Sequence, residues 1–135
     1  MVNELGYDIA INYKDRDWYG QLEFAAPNRL DFIFDNVGGD VLNSSLRHIA
    51  MGGTVLLCGS TSQYAQEKMR GPDNYIWLGT MRARMQGYVI FDYVDQYQKA
   101  RSQMSSWIKT GKLKLPSHQI LGDLSEFPAA FEQLY

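Results

Sequence analysis

The sequence predicts an α/β domain built on a parallel sheet. Three short runs rich in apolar residues, at 8–13, 30–35 and 54–59, have the length of strands, and segments with helical periodicity separate them. Strands that alternate with helices through short connections favour parallel pairing and right-handed crossovers. The run at 30–35 is apolar almost throughout, which is typical of a strand with both sheet faces covered.

The chain begins with a short helical segment and the first predicted strand. Gly6 suits the left-handed position just after a helix, so we expect a helix to end there. The strand at 8–13 follows. Asp15 is a candidate N-cap for the next helix. The apolar face of that helix is predicted to consist of Trp18, Leu22, Ala25 and Ala26.

A strand, a helix and a second strand make up the centre of the chain. Residues 30–35 form the strand, the paired glycines at 38–39 turn the chain, and Asp40 can cap the helix. Glycines 52–53 are expected to end that helix before the strand at 54–59. The apolar stripe of the helix is predicted to consist of Leu42, Leu46, Ile49 and Ala50.

The second half of the chain begins with a polar stretch. Residues 60–73 are expected to form a long loop at the carboxyl end of a strand, where functional residues often lie. The remaining predicted elements are a helix at 74–84, a strand at 85–91, a helix at 97–108, a short segment at 119–121 and a helix from 125 onward.

The composition is that of an ordinary globular domain and limits the range of functions. Of the 135 residues, 45% are hydrophobic and 21% are charged, with a formal net charge of −2. This balance indicates neither a nucleic-acid nor a membrane partner. The amino terminus has no signal-peptide pattern. The single cysteine, Cys58, excludes an intrachain disulfide and suits a reducing compartment. We therefore predict one domain over 1–135, located in the cytoplasm.

Few motifs carry chemistry on their own. No GxGxxG or GxxxxGK[ST] loop is present. The glycines at 38–39 could present N–H groups to an anion, although a tight turn alone is the simpler interpretation. His48 and His118 lie far apart in sequence and are interpreted as surface or packing side chains, so no metal site is predicted. Cys58 is expected to be a small buried side chain.

Five short segments, in order, carry a family resemblance. Residues 34–39 (FDNVGG) are similar to a segment of the zinc-independent medium-chain dehydrogenases/reductases, in particular the NADP-dependent alkenal double-bond reductases, which include prostaglandin/leukotriene and curcumin reductases. This resemblance implies a Rossmann-like, doubly wound parallel sheet, incomplete in this chain. The other matching segments are residues 11–14 (INYK), 58–64 (CGSTSQY), 82–88 (RARMQGY) and 128–131 (PAAF).

The resemblance implies a site for NADP(H). Tyr13 matches a tyrosine on the 2′-phosphate side, and Asn36 matches an asparagine beside the cofactor. Tyr64 matches a tyrosine near the ribose hydroxyl and the substrate carbonyl, which makes it the candidate catalytic residue. The residues alone leave Tyr13 and Tyr64 equally compatible with surface aromatics. The implied cofactor-binding residues are Tyr13, Asn36, Cys58, Gly59, Ser60, Thr61, Ser62, Tyr64, Tyr88, Val89 and Ile90.

The resemblance also implies an activity and a mode of assembly. The members of the family that the chain resembles transfer a hydride from NADPH to the C=C bond of an α,β-unsaturated ketone or aldehyde without a metal. They carry a catalytic domain, a glycine-rich loop and a phosphate-binding lysine before the position of Asn3. We therefore expect a fragment of the cofactor domain, inactive and self-associating in isolation, with a homodimer through the edge strand near 85–91. The alternative is a catalytically inactive Rossmann fragment that acts only as an assembly module.

Overall fold

The structure is a computed structural model that describes residues 2–115 and 122–132. The chain divides into two compact units, Met1–Gln96 and Tyr97–Tyr135, which are described separately. The predicted segment at 119–121 and His118 lie outside the described residues, as do residues 133–135 of the predicted last helix.

A three-stranded parallel sheet forms the centre of the first unit. Its strands are β1 (Leu30–Asp35), β2 (Ile49–Leu57) and β3 (Arg84–Gly87), in the spatial order β1-β2-β3. Both pairings are parallel. The prediction of a parallel, Rossmann-like α/β fold is confirmed, and the carboxyl ends of all three strands lie at the same edge of the sheet.

Short helices connect the strands. The predicted helix end at Gly6 is found, with φ of +77°. Asp15 does not cap the second helix, because its carboxylate accepts a hydrogen bond from Asn12 instead, and Asp17 is the N-cap. Asp40 lies in the first turn of the third helix rather than at its cap, Gly38. The α-helices of this unit are α1 (Val2–Leu5), α2 (Trp18–Ala25), α3 (Gly39–Arg47) and α4 (Ile76–Thr80).

Several predicted elements are wrong in type or length. Residues 8–13 form no strand, because no strand of the described sheet pairs with them. Ile49 and Ala50 belong to β2 instead of the preceding helix, which already ends at Arg47. The predicted helix at 74–84 is reduced to a 3-10 turn at Asp73–Tyr75 followed by α4, and the predicted strand at 85–91 is reduced to the four residues of β3.

The core lies on one face of the sheet. Leu42, Leu46, Ile49 and Val55 are buried there, and Leu46, Ile49 and Val55 are completely inaccessible. On the other face of β1, Phe32 and Phe34 are 58% and 53% exposed. The prediction that both faces of this strand are covered is therefore wrong for the part of the chain that the structure describes.

The second unit is helical. The predicted helix at 97–108 is confirmed as α5 (Tyr97–Lys109), and Gly111, with φ of +71°, follows its end as expected. A 3-10 turn at Leu124–Glu126 leads into α6 (Phe127–Glu132). Across residues 2–115 and 122–132, no helix is both long and apolar enough to cross a membrane.

Candidate functional site

Two loops meet at the carboxyl edge of the sheet. We call residues 35–38 the β1 turn and residues 58–64 the β2 loop. Four main-chain hydrogen bonds join them, so the two loops form one continuous piece of structure. These bonds run from the N–H groups of Cys58 and Gly59 to the Asp35 carbonyl (2.8 and 3.2 Å), from Thr61 to Asn36 (3.0 Å) and from Ser62 to Val37 (3.0 Å).

The side chain of Asp35 closes the β1 turn from inside. It is 4% exposed, and its carboxylate accepts hydrogen bonds from the N–H groups of Val37 and Gly38, each at 3.1 Å. This places its negative charge at the amino end of α3, where the helix dipole favours it. The Gly38 N–H is thus already bonded to a carboxylate, which favours the interpretation of residues 38–39 as a tight turn. Gly38 and Gly39 accordingly adopt positive φ, +67° and +54°.

Glycines allow the two loops to approach closely. A Cβ atom at Gly38 would lie 3.1 Å from Cβ of Ser60, and one at Gly59 would lie 3.2 Å from both the Asn36 carbonyl oxygen and the Tyr64 hydroxyl. Any side chain at either position would push the neighbouring groups apart. The absence of a side chain at Gly59 therefore allows Asn36 and Tyr64 to lie close together.

Asn36 and Tyr64 face solvent at this edge. Tyr64 is 67% exposed, and its hydroxyl accepts a hydrogen bond of 3.4 Å from the Ser60 N–H. Asn36 is also exposed, and within the described residues its side-chain amide makes no hydrogen bond. The tyrosine and the unbonded amide thus flank Gly59, where a Cβ atom would lie 3.2 Å from the Tyr64 hydroxyl and 3.5 Å from Oδ1 of Asn36. Such a pair can stack on a ring and form hydrogen bonds with a polar ligand.

The segment after β3 reaches the same edge. The Tyr88 N–H donates to the Leu57 carbonyl at 2.8 Å, which continues the parallel pairing beyond β3. The Tyr88 ring lies 6.5 Å from Phe34 and is stacked on Tyr93 at 5.3 Å. Val89 and Ile90 are about half exposed. The predicted site residues at 88–90 are therefore next to the end of β2.

Two of the predicted site residues, Tyr13 and Cys58, are not placed as expected. Tyr13 is half exposed in the turn before α2 and has no hydrogen bond or ring contact with the β1 turn or β2 loop. Cys58 was expected to be buried but is exposed, because it lies just past the end of β2. Among the described residues, no group of three or more His, Cys, Asp or Glu side chains could hold a metal ion.

The amino edge of the sheet is built differently. Nε2 of the buried His48 lies 2.6 Å from the Ala26 carbonyl oxygen, to which it donates. The Arg29 guanidinium donates to the carbonyls of Arg47 (3.0 Å) and Ile49 (3.3 Å). His48 is thus a packing residue, as one of the sequence interpretations had it. These side chains join the end of α2, the end of α3 and the start of β2.

Tyr19 packs beside this group. Its ring makes an edge contact with His48 at 6.3 Å, and the Arg47 guanidinium lies over it at 5.1 Å. Burial raises the pKa of the Tyr19 hydroxyl, as does the carboxylate of Glu23, while the cations of Arg47 and Arg29 act in the opposite direction. The phenol is therefore held in its neutral form.

A parallel sheet with polar side chains outside the carboxyl ends of its strands is the arrangement of Rossmann-like α/β folds, which bind ligands at that edge. Residues 5–135 match the family described as zinc-binding dehydrogenase, and the chain belongs to that family.

Individual relatives indicate which branch of this family the chain is most similar to in sequence. The chain is 37% identical over 114 residues to the NADP(+)-dependent 2-alkenal reductase of Nicotiana tabacum, and 36% identical over 114 residues to (+)-pulegone reductase of Mentha piperita. Each match covers 84% of this chain and 33% of the relative, so the chain spans about a third of the length of these relatives.

A solved structure of a related protein is also similar to this chain. CurA from Vibrio vulnificus, in complex with NADPH, superimposes with a TM-score of 0.81 and 35% identity, over 96% of this chain and 40% of that one. The resemblance to the alkenal-reductase branch is confirmed by these relatives.

Proposed function

We propose that this chain forms the cofactor side of an NADPH-dependent oxidoreductase that reduces the C=C bond of α,β-unsaturated ketones and aldehydes. The observation that carries the proposal is the unbonded Asn36 amide beside the exposed Tyr64 ring at the carboxyl edge of the sheet. The names of the relatives support the choice of cofactor and substrate class, since one is an NADP(+)-dependent 2-alkenal reductase and another binds NADPH.

The residues at this edge suit the uncharged half of the dinucleotide. Asp35 neutralises the amino end of α3, which disfavours a phosphate there, while the exposed ring and amide suit a nicotinamide ribose. When bound, NADPH supplies the hydride. The chain supplies orientation: Asn36 and Tyr64 bind the ribose side, and main-chain groups at 88–90 pair with the carboxamide. The Tyr64 hydroxyl donates toward the substrate carbonyl.

The same proposal covers assembly and location. We propose in addition that the reductase works without zinc, is located in the cytoplasm and dimerises through β3 and the residues that follow it. In the described sheet β3 pairs with β2 alone, and Phe91 and Val94 beyond it are 75% and 59% exposed. An unpaired strand edge with exposed apolar neighbours favours pairing with a second copy. Sedimentation should show a dimer that the Phe91→Arg substitution converts to monomer, and a wild-type monomer would contradict this part.

Cofactor binding is tested by titrating NADPH into the isotope-labelled chain and following amide resonances. We expect shifts confined to Tyr13, Asn36, the β2 loop and residues 88–90, with a weaker effect of NADH at Tyr13, because Tyr13 is assigned to the 2′-phosphate side. This method detects weak binding, which matters for a chain that spans about a third of its relatives. The absence of localised shifts would favour the alternative, a fragment that serves only as an assembly module.

The reaction is tested in a chimera in which this chain replaces the matching segment of the tobacco 2-alkenal reductase. We expect NADPH oxidation that depends on an enone and persists in the presence of a metal chelator. Tyr64→Phe should lower the rate about tenfold, the effect of losing one hydrogen bond in the transition state. A folded chimera that binds NADPH but oxidises none with any enone would contradict the proposed reaction.

A further inference from the structure

Asp35 is a buried carboxylate that the proposed cofactor contacts do not use. It is 4% exposed, whereas its neighbour Asn36 faces solvent. Burying a charge is costly unless hydrogen bonds compensate for it. Here the N–H groups of Val37 and Gly38 supply that compensation, and the amino end of α3 adds to it. The carboxylate oxygens are therefore committed to holding the β1 turn.

The main chain of the same residue makes a second set of contacts. The Asp35 carbonyl accepts the N–H groups of both Cys58 and Gly59. Its side chain therefore fixes the β1 turn, while its carbonyl fixes the start of the β2 loop. Both halves of the proposed site depend on the position of this one residue.

Ser62 joins the β2 loop to the β1 turn at a second point, the Val37 carbonyl. Its hydroxyl donates to the Val37 carbonyl at 2.7 Å, in addition to the main-chain bond of 3.0 Å from its N–H to the same oxygen. The hydroxyl proton is thus directed toward the β1 turn and is not free for a ligand. Asp35 and Ser62 hold the two loops together from opposite ends, with Gly59 between Asn36 and Tyr64.

We propose that Asp35 and Ser62 are positioning residues, which fix the separation of Asn36 and Tyr64 and thereby determine the affinity of this edge for the nicotinamide ribose. This inference rests on the proposed function. The role proposed for these two residues requires no contact with the cofactor. Their contribution to binding is made through preorganisation, since a site that is held in its bound geometry loses less entropy when a ligand binds.

The first test compares Asp35→Asn with Asp40→Asn. Both substitutions remove one negative charge near the start of α3, but Asp40 is exposed and makes no hydrogen bond within the described residues. For Asp35→Asn we expect the NADPH dissociation constant to rise about tenfold and amide-exchange protection at Gly38 to fall. For Asp40→Asn both quantities should stay at the wild-type values.

A purely structural role for Asp35 gives a different result. In that case the urea midpoint falls while the dissociation constant of the folded variant is unchanged, which would overturn the proposal. Equal effects of the two substitutions would overturn it as well, because they would point to charge alone. If wild type itself shows no localised NADPH shifts, the proposed function fails first, and the two failures are thus distinguishable.

Ser62→Ala keeps the proposal testable if Asp35→Asn does not fold. Ser62 is exposed, so its loss leaves no buried cavity and the urea midpoint should hardly change. We expect the NADPH dissociation constant to rise about threefold, with smaller shifts of the Tyr64 amide on titration. Ser62→Thr, which retains the hydroxyl, should restore the affinity. A folded Ser62→Ala variant with wild-type affinity would overturn the proposal.

Discussion

The two edges of the sheet use their polar groups in opposite ways. At the amino edge, the side chains of His48 and Arg29 donate to main-chain carbonyls of Ala26, Arg47 and Ile49. At the carboxyl edge, main-chain groups of the β1 turn and β2 loop bond to each other, with only Asp35 and Ser62 adding side-chain bonds to the main chain. The side chains of Asn36 and Tyr64 are left facing solvent.

This difference separates stability from binding. A side chain whose hydrogen-bonding groups are taken up by the fold stabilises the fold and has little left for a ligand. A loop held by its own main chain can present side chains outward without losing its shape. Substitutions at the amino edge should therefore change the free energy of unfolding, and substitutions of Asn36 or Tyr64 should change affinity.

His48→Ala should have the largest effect at the amino edge. It removes a buried ring and its 2.6 Å hydrogen bond to the Ala26 carbonyl, which keeps only the bond from the Arg29 N–H. We expect the free energy of unfolding in urea to fall by about 2 to 3 kcal/mol, while the NADPH dissociation constant of the folded variant stays the same. A change in affinity as large as the change in stability would break the distinction between the edges.

Arg29 offers a matched pair of substitutions. Its φ of +71° is unfavourable for any residue with a Cβ atom, and its guanidinium bonds to two carbonyls. Arg29→Ala should lower the free energy of unfolding by about 1 to 2 kcal/mol. Arg29→Gly loses the same bonds but relieves the backbone, so it should be more stable than the alanine variant by about 1 kcal/mol. Equal midpoints in urea would contradict the assigned strain.

Asn36→Ala probes the carboxyl edge. The exposed amide makes no hydrogen bond within the described residues, so the free energy of unfolding should change by less than about 0.5 kcal/mol. The NADPH dissociation constant should nevertheless rise about threefold to tenfold through the loss of a ligand hydrogen bond. A loss of stability without a loss of affinity would reverse the comparison.

The smallest effect is a dependence on alkaline pH at the amino edge. Because the pKa of Tyr19 in the folded chain is raised above the ordinary value of a tyrosine, 10.0, the neutral phenol contributes full stability below about pH 10. That contribution is lost as the pH rises through the raised value. The urea midpoint of the wild-type chain should fall as the pH rises across this range, and the midpoint of the Tyr19→Phe variant should fall less. An identical pH profile for both would contradict the assignment.

Local pattern predicted the elements that packing also favours. The apolar run of β1 and the helical period of α5 were both located correctly. Residues 8–13 alternate as a strand does, but β propensity alone does not form a strand without a neighbour to pair with. Ile49 fits the apolar stripe of α3 and the interior of β2 equally well, so its periodicity could not decide between them.

The candidate site was located through the family resemblance more than through chemistry. The structure brings Asn36, the β2 loop and Tyr64 together, whereas it leaves Tyr13 without contact to them. Asp35 was not among the predicted cofactor-binding residues, because a polar residue at the end of a strand looks the same in sequence whether it points outward or inward. The signal that was available is an aspartate just before a glycine-containing turn, because Asp side chains often accept hydrogen bonds from main-chain N–H groups two residues further on. Asp35 does this with the N–H groups of Val37 and Gly38.

The bonds between the β1 turn and the β2 loop have a practical consequence for protein engineering. Because residues 35–38 and 58–62 share four main-chain hydrogen bonds, an exchange of either segment alone would place foreign geometry against a native partner. Grafting a different ligand preference onto this scaffold should therefore exchange both segments together, with Gly59 retained because a side chain there would push Asn36 and Tyr64 apart.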